Sequence, residues 1–166
     1  GVRGLAYTDV LIVQLLNALR ISEAIECVKK WSDNPHNKVY YVKVRKKKYD
    51  EYRECVVPYK EVFDERDLLA AREFRDKLTA NRLKAWSKMV LGINTHTLRY
   101  ARINDWLERG IDPVIVSKTI RHSKLDTLLA YARAIKLQEL IREDLRAYRK
   151  LRRFEEKVEE ELGGGG

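Results

Sequence analysis

Residues 39–45 read Val-Tyr-Tyr-Val-Lys-Val-Arg, and residues 52–58 read Tyr-Arg-Glu-Cys-Val-Val-Pro. Both stretches are rich in valine and tyrosine, which favour β-strands over Val39–Arg45 and Tyr52–Val57. The link between them, Lys-Lys-Lys-Tyr-Asp-Glu at 46–51, predicts the basic tip of a hairpin. Because the rest of the chain has helical patterns, the predicted fold class is α+β: mainly α-helical with a small antiparallel β-sheet.

Helical periodicity on both sides of the hairpin predicts the other elements. A first helix is expected over Asp9–Ala18, capped by Thr8 or Asp9, and a second over Ser22–Trp31. Gly110 is expected as a left-handed cap, and Pro113 suits a first helical turn. Four helical segments follow the hairpin: Glu65–Leu78, Asn81–Leu91, Thr95–Arg109 and Pro113–Arg121.

The last stretch, from about Asp126 to Leu162, contains no helix breaker and carries one apolar stripe on a charged helix. The pattern fits two alternatives equally well: a helix that folds back on its own domain, and a helix that packs against a neighbouring subunit. We expect one domain over 1–162, in which 135–162 form a long amphipathic helix, and a flexible glycine tail at 163–166. The stripe consists of Ile141, Leu145, Tyr148, Leu151, Phe154, Val158 and Leu162.

Composition limits the class of partner and compartment. A net charge of +9 predicts an acidic partner, most commonly nucleic acid. Cys27 and Cys55 are too few and too far apart for a secreted disulfide framework or a zinc site, which favours a reduced intracellular compartment. The apolar run Leu11–Leu19 is too short for a membrane span. Charged residues make up 36% of the chain, a balance seen in proteins of hyperthermophiles.

An ordered set of polar residues points to phosphate chemistry. Arg20 stands in Leu-Arg-Ile-Ser-Glu at 19–23, and His96 and Arg99 frame His-Thr-Leu-Arg. His122 precedes Tyr131 by nine positions. Arginines can each donate two fixed hydrogen bonds to phosphate oxygens, and a tyrosine can attack phosphorus and hold it covalently. This chemistry needs no metal, and no cluster in the sequence has metal-ligand spacing.

The order and spacing of these residues resemble the tyrosine recombinases, or phage-type integrases, from about Asp9 to Ala134. Members carry Leu-Arg-x-Ser-Glu, then a lysine at a hairpin that ends in Val-Pro, then His-x-Leu-Arg with a glycine eleven residues later. This chain matches with residues 19–23, the hairpin 39–58, residues 96–99 and Gly110. A Gly-His-Ser motif follows in the family, with the nucleophilic tyrosine nine residues beyond its histidine; here His122-Ser123 and Tyr131 keep that interval.

The chain departs from the family pattern in three places. Arg121 replaces the glycine before the second histidine, and Ala18 replaces the usual glycine before Leu-Arg. The family's amino-terminal DNA-clamping domain has no counterpart, so the resemblance implies an isolated catalytic domain. Its divergence would suit an archaeal virus or plasmid integrase.

The resemblance implies a site-specific DNA recombinase (integrase) that cuts and rejoins DNA through a 3′-phosphotyrosine, without metal, cofactor or ATP. Tyr131 would be the nucleophile, and Arg20, Arg99 and His122 would bind the scissile phosphate. His96 would act as a general base or position the attack. Glu23 would support the site by orienting Arg20.

A hairpin lysine would protonate the leaving 5′ oxygen, because an alkoxide is a poor leaving group. Lys48 is favoured for this role, and Lys46 and Lys47 are alternatives. Further contacts to double-stranded DNA are expected from Lys46, Lys47, Arg121 and Lys124, and from a wider set of surface cations. That wider set is Arg82, Lys84, Lys88, Arg102 and Lys118.

By the same resemblance, the protein would act at specific attachment sites as a tetramer linked through its carboxy-terminal segment, in the cytoplasm of a prokaryotic or virus-infected host cell, with no membrane. One alternative is a topoisomerase of type IB chemistry that relaxes supercoils. Another is a basic DNA-binding protein of the same fold that has lost catalysis.

Overall fold

A computed structural model describes residues 1–44, 50–121 and 125–163, the last range without the side chains of 125–127 and 131. The chain divides into two compact units, Gly1–Ser123 and Lys124–Gly166. Across the described residues it is mainly helical with a two-stranded antiparallel sheet, which confirms the predicted fold class.

The first unit has helices on both sides of the hairpin in sequence. A short 3₁₀ turn at Arg75–Lys77 follows the third helix, and a π-helical turn at Ser87–Leu91 follows the fourth. The described elements are α1 (Val2–Asn17), α2 (Ile21–Asp33), β1 (Tyr40–Lys43), β2 (Tyr52–Cys55), α3 (Glu65–Glu73), α4 (Ala80–Trp86), α5 (Thr95–Glu108) and α6 (Pro113–Ile120).

The start of α1 differs from the prediction. The helix begins at Val2, and neither Thr8 nor Asp9 caps it. Thr8 Oγ1 instead donates to the Gly4 carbonyl at 2.7 Å, inside the helix. Asp9 is buried, with its carboxyl against that of Asp67 in α3. A polar residue that reads as a cap in the sequence is therefore part of the interface between α1 and α3.

The hairpin forms as predicted, but both strands are shorter. Val42 pairs with Arg53, and beyond β1 the Val44 N–H still donates to the Glu51 carbonyl at 2.8 Å. β2 ends at Cys55 because the next residue pairs with a side chain. The Asn17 side chain accepts from the Val56 N–H and donates to the Val56 carbonyl, both at 2.8 Å. The predicted lysines 46–48 lie outside the described residues.

The core of the first unit lies where α1, α2, α3 and the sheet meet. Trp31 of α2 is fully buried and packs edge-on against Tyr59, with ring centroids 5.4 Å apart. Cys27 of α2 and Cys55 of β2 form a disulfide, with Cα atoms 6.8 Å apart. The disulfide departs from the reduced state that the sequence analysis favoured for these cysteines. Their spacing of 28 residues does not show that α2 and β2 bring them together.

The second unit is the helix α7 (Leu125–Gly163), close to the predicted span of about 126–162. Its apolar stripe is exposed, from 37% at Val158 to 77% at Leu162. Gly163, expected in a glycine tail, is the last helical residue, and residues 164–166 lie outside the described part. Within that part, no helix is both long and apolar enough to cross a membrane.

Candidate functional site at the carboxyl end of helix α1

Backbone carbonyls at the end of α1 hold two buried arginines from distant parts of the chain. Arg99 of α5 donates through Nη1 to the Ala18 carbonyl at 2.7 Å. Arg53 of β2 donates through Nη1 to the same carbonyl at 3.2 Å and through Nη2 to the Asn17 carbonyl at 2.5 Å. The last carbonyls of a helix lack intrahelical donors and form its negative pole, so cations are stabilised there.

Ala18 is oriented for this role by an uncommon backbone conformation. It caps α1 in the left-handed region, with φ 53° and ψ 46°, and its side chain is fully buried. Glycine usually occupies such a position because a Cβ is disfavoured there. The residue that departs from the family's glycine is therefore the one whose carbonyl both arginines share.

Glu23, in the first turn of α2, is the carboxylate of this cluster and is fully buried. Its Oε1 accepts from the Arg20 backbone N–H at 2.9 Å, and its Oε2 accepts from Arg20 Nη1 at 3.2 Å. Arg99 Nη1 lies 3.9 Å from Glu23 Oε1. Glu23 thus caps its own helix, fixes the Arg20 guanidinium and faces Arg99, while the Arg20 side chain stays 17% exposed.

Charge in this cluster is unbalanced. Burial lowers the pKa of Arg53 to about 10; Glu23 raises it, and the positive charges of Arg99, Arg20 and Arg121 lower it. Burial and the positive charge of Arg20 together lower the pKa of Arg99 to about 10, against the opposing effect of Glu23. Arg53 and Arg99 both remain charged at neutral pH.

Two buried nitrogens in the cluster lack a partner among the described residues: Arg99 Nη2 and Arg53 Nε. Leaving a buried donor unsatisfied costs free energy, and a buried cation is stable only when an anion or dipole compensates it. With Arg20, Arg53 and Arg99 facing the Glu23 carboxylate, the cluster has a surplus of positive charge. A second anion bound beside the partly exposed Arg20 would compensate that surplus.

The structure thus brings together Arg20, Glu23 and Arg99 of the predicted site. His96 lies one turn before Arg99 on α5 and is exposed; its ring centroid is 6.3 Å from that of Tyr100. Arg121 caps α6 in a left-handed conformation, φ 56°, with its side chain exposed. The remaining predicted residues lie outside the described part: Lys46, Lys47, Lys48, His122 and Lys124, together with the side chain of Tyr131.

Arg53 is the site residue that the sequence analysis missed. It is 3% exposed. Strand alternation could have found it, because Arg53 and Cys55 share one face of β2, and both are buried there while Tyr52 and Glu54 are exposed. An arginine at an inward strand position requires acceptors from elsewhere in the fold, and α1 supplies them.

Arg102, one of the cations expected to contact DNA, also makes contacts within the fold. Its Nε donates to the Leu16 carbonyl at 3.1 Å, and its Nη1 donates to Asp105 at 2.7 Å. The guanidinium also lies over the Trp106 ring, 5.0 Å from the centroid. Arg102 therefore braces α5 against α1.

Known proteins similar to this chain include two that are named as integrases. The chain is 29% identical over 137 residues to Putative integrase ORF241 of Acidianus two-tailed virus, a match that covers 82% of this chain. It spans 55% of that protein's length. It is also 29% identical over 166 residues to Putative integrase V10 of Sputnik virophage, covering 81% of this chain and 69% of V10.

No protein-family model matches the chain, and no solved structure is significantly similar to it. A third relative is Uncharacterized protein MJ0770 of Methanocaldococcus jannaschii, which is 30% identical over 161 residues. That match covers 83% of this chain and 72% of MJ0770. The chain therefore belongs to the same family as MJ0770, and its similarity to ORF241 and V10 makes this an integrase-like family.

Proposed function

We propose that this protein is a tyrosine-type site-specific DNA recombinase that integrates DNA through a 3′-phosphotyrosine intermediate. The observation that carries the proposal is the buried cluster in which Glu23 and the end of α1 hold Arg20 and Arg99 together. These are the two arginines that the motif spacing assigns to the scissile phosphate. The names of ORF241 and V10 support integration as the biological outcome.

The cluster suits a phosphodiester at the moment of its cleavage. Attack on phosphorus forms a pentavalent state that concentrates negative charge on the non-bridging oxygens. Arg20 reaches the surface, and Arg99 has an unsatisfied Nη2 among the described residues, so both have donors to offer. Donors fixed before the reaction stabilise such charge without reorganisation, and removing one costs about a hundredfold or more in rate.

The remaining steps fall to residues assigned by spacing. The Tyr131 oxygen attacks phosphorus, the bond to the 5′ oxygen breaks, and a lysine among 46–48 gives that oxygen its proton. Lys48 is our first choice. His122 supplies a third donor to the phosphate, and His96 takes the tyrosine proton or positions the attack. The reverse sequence rejoins the strand, and because the phosphotyrosine conserves the bond energy, no ATP is consumed.

We propose double-stranded DNA as the partner. The net charge of +9 provides the attraction, and exposed Arg121, beside the arginine cluster, is placed to extend it along the DNA backbone. Lys46, Lys47 and Lys124 are further proposed contacts. The exposed stripe of α7 would link protomers into a tetramer.

A pool of nicked duplexes tests the chemistry and does not require a defined attachment site. Each duplex carries a randomised central segment and a nick, so that a cleaved strand diffuses away and the covalent adduct is trapped. We expect wild-type protein to form a denaturation-resistant adduct with selected members of the pool. Tyr131→Phe should abolish the adduct, because phenylalanine has no oxygen to attack with.

Tyr100→Phe is the matched control, since Tyr100 is exposed and lies next to Arg99. It should keep the adduct. If wild type binds the DNA pool and forms no adduct, the protein is a binding protein of this fold and the proposal is wrong. If Tyr131→Phe keeps the adduct and Tyr100→Phe loses it, the assignment of the nucleophile is wrong.

A further inference from the structure

We infer that Arg53 is a positioning residue for strand cleavage, acting on Arg99 through the Ala18 carbonyl that both arginines share. This inference rests on the proposed function and adds to it a residue that neither the motif spacing nor the comparisons assign. It begins from the two hydrogen bonds at that carbonyl, from Arg99 at 2.7 Å and from Arg53 at 3.2 Å.

Arg53 is not placed to touch DNA. Arg53 and Arg99 are equally buried, but both terminal nitrogens of Arg53 donate to backbone carbonyls, Nη1 to Ala18 and Nη2 to Asn17. An arginine that contacts phosphate needs a terminal nitrogen that is available to the ligand, such as Nη2 of Arg99. The role of Arg53 must therefore be indirect.

The shared carbonyl gives Arg53 a route to Arg99. Ala18 stands in a left-handed conformation between two helices, so its carbonyl direction depends on what holds it. Arg53 clamps the peptide units of Asn17 and Ala18 together, and Arg99 takes its orientation from the second of them. The Leu19 N–H of the same peptide unit donates to the Gln14 carbonyl at 3.0 Å, which limits how far the unit can rotate. Without Arg53, the Ala18 carbonyl loses one of its two arginine donors and is held less tightly, so the Arg99 guanidinium is fixed less precisely relative to Glu23.

Charge adds to this geometric effect. Because Arg53 and Arg99 donate to the same carbonyl, the two cations lie close enough to repel each other, and the positive charge of Arg99 lowers the pKa of Arg53. Two such cations share one carbonyl only while Glu23 and the helix end compensate them. Arg53 therefore contributes to the field that prepares the cluster for an anion, as well as to its geometry.

The test compares Arg53→Met with Arg72→Met. Arg72 is a suitable control, because it also donates to a carbonyl of the last turn of a helix, that of Ser32 in α2 at 3.0 Å, but shares no acceptor with Arg99. Adduct formation is timed on the sequence selected from the nicked pool. We expect Arg53→Met to slow cleavage about a hundredfold, the cost of a small misplacement of a catalytic group. Arg72→Met should stay within about threefold of wild type, and DNA affinity should be unchanged in both.

A second substrate separates positioning from a general structural defect. In a methylphosphonate, a methyl group replaces one non-bridging oxygen, so the transition state carries less charge and depends less on arginine. The deficits of Arg99→Ala and Arg53→Met should both shrink on this substrate, and the double variant should be no slower than Arg99→Ala alone. A deficit that stays the same on both substrates, or that adds fully to that of Arg99→Ala, overturns the inference.

Arg53→Lys keeps the inference testable if Arg53→Met fails to fold because the buried positive charge is lost. Lysine keeps the charge but cannot donate to both carbonyls in a fixed fork, so we expect an intermediate cleavage rate with near-native thermal unfolding. Full wild-type cleavage by Arg53→Lys would overturn the inference. If wild-type protein itself forms no adduct, the proposed function is wrong. If wild type is active and Arg53→Met is equally active, only the inference about Arg53 is wrong.

Discussion

Burial gives Asp9 of α1 an acid–base behaviour that an exposed aspartate lacks. Burial raises the pKa of its carboxyl to about 8, and the hydrogen bond and negative charge of Asp67, with the charge of Asp64, raise it in the same direction. The unfolded chain holds this proton only below about 3.8. Between those values the folded state binds a proton that the unfolded state has lost, so this group makes stability fall as pH rises from about 4 to about 8.

Asp9→Asn should remove that fall, because an amide stays neutral throughout. At pH 8 we expect the free energy of unfolding of the variant to exceed that of wild type by on the order of a few kcal/mol, as measured by urea unfolding. This difference should shrink toward pH 4. Asp33→Asn, at an exposed ion pair with Arg75, is the control and should show no such gain. An Asn variant that is less stable than wild type at pH 8 would show that Asp9 is ionised in the folded protein.

Residue identity alone predicted part of the cluster and missed part of it. Arg20 and Arg99 were found because their motifs are local: each is read within five residues of sequence. Arg53 was missed because its acceptors, the carbonyls of Asn17 and Ala18, are separated from it by 35 residues or more. A buried arginine in a strand can be recognised from the sequence only when it is known which face of that strand points into the core.

At the scale of elements, the disulfide joins the helix that carries Glu23 to the strand that carries Arg53. Cys27 and Cys55 are fully buried or nearly so, and they close a loop of 28 residues that contains β1 and the hairpin tip. A cross-link of this length restricts the unfolded chain and adds about 3.6 kcal/mol of stability by the chain-entropy estimate.

Replacing both cysteines by alanine, or reducing the bridge, should therefore lower the free energy of unfolding by about that amount. The measurement is denaturant unfolding with and without a thiol reductant. The double alanine variant serves as the control, since its stability should not respond to the reductant. Equal stability of oxidised and reduced wild type would show that packing alone holds α2 against β2.

Element types were predictable, and element ends were not, for a physical reason seen in β2. Valine and tyrosine content found the strand, and the pattern continues to Val57. The ladder ends at Cys55 because the Asn17 side chain takes both backbone groups of Val56. Contacts from another element also explain why α1 begins at Val2 and not at Asp9. The Asp9 side chain contacts Asp67 of α3 and does not cap the helix, so the helix continues through this position.

At the scale of the whole molecule, charge and exposed apolar surface act against each other. Every copy carries a net charge of +9, so copies repel in solution. The stripe of α7 exposes seven large apolar side chains on one helix, which favours association. DNA neutralises this repulsion, and it can do so while the stripe stays exposed. We therefore expect assembly through α7 to depend on DNA.

The double change Leu145→Gln and Leu151→Gln tests this expectation, since it replaces two stripe residues by polar ones of similar size. Wild-type protein should be monomeric alone and multimeric on its selected duplex, as measured by light scattering after size-exclusion chromatography. The double variant should remain monomeric on that duplex and still form the covalent adduct. Assembly would then be separable from chemistry.

Arg153→Gln is the matched control. Arg153 lies five residues from Tyr148, about 140° around the helix, and its neighbours three and four residues away are all charged, so it lies outside the stripe. It should assemble on DNA as wild type does. Wild type that stays monomeric on DNA, or a double variant that assembles like Arg153→Gln, would mean that the stripe serves another purpose. Because the control changes charge and the test changes apolar surface, the comparison also separates the two forces: loss of assembly in the double variant alone would assign association to the stripe, and loss in both variants would show that assembly also needs the charge on α7.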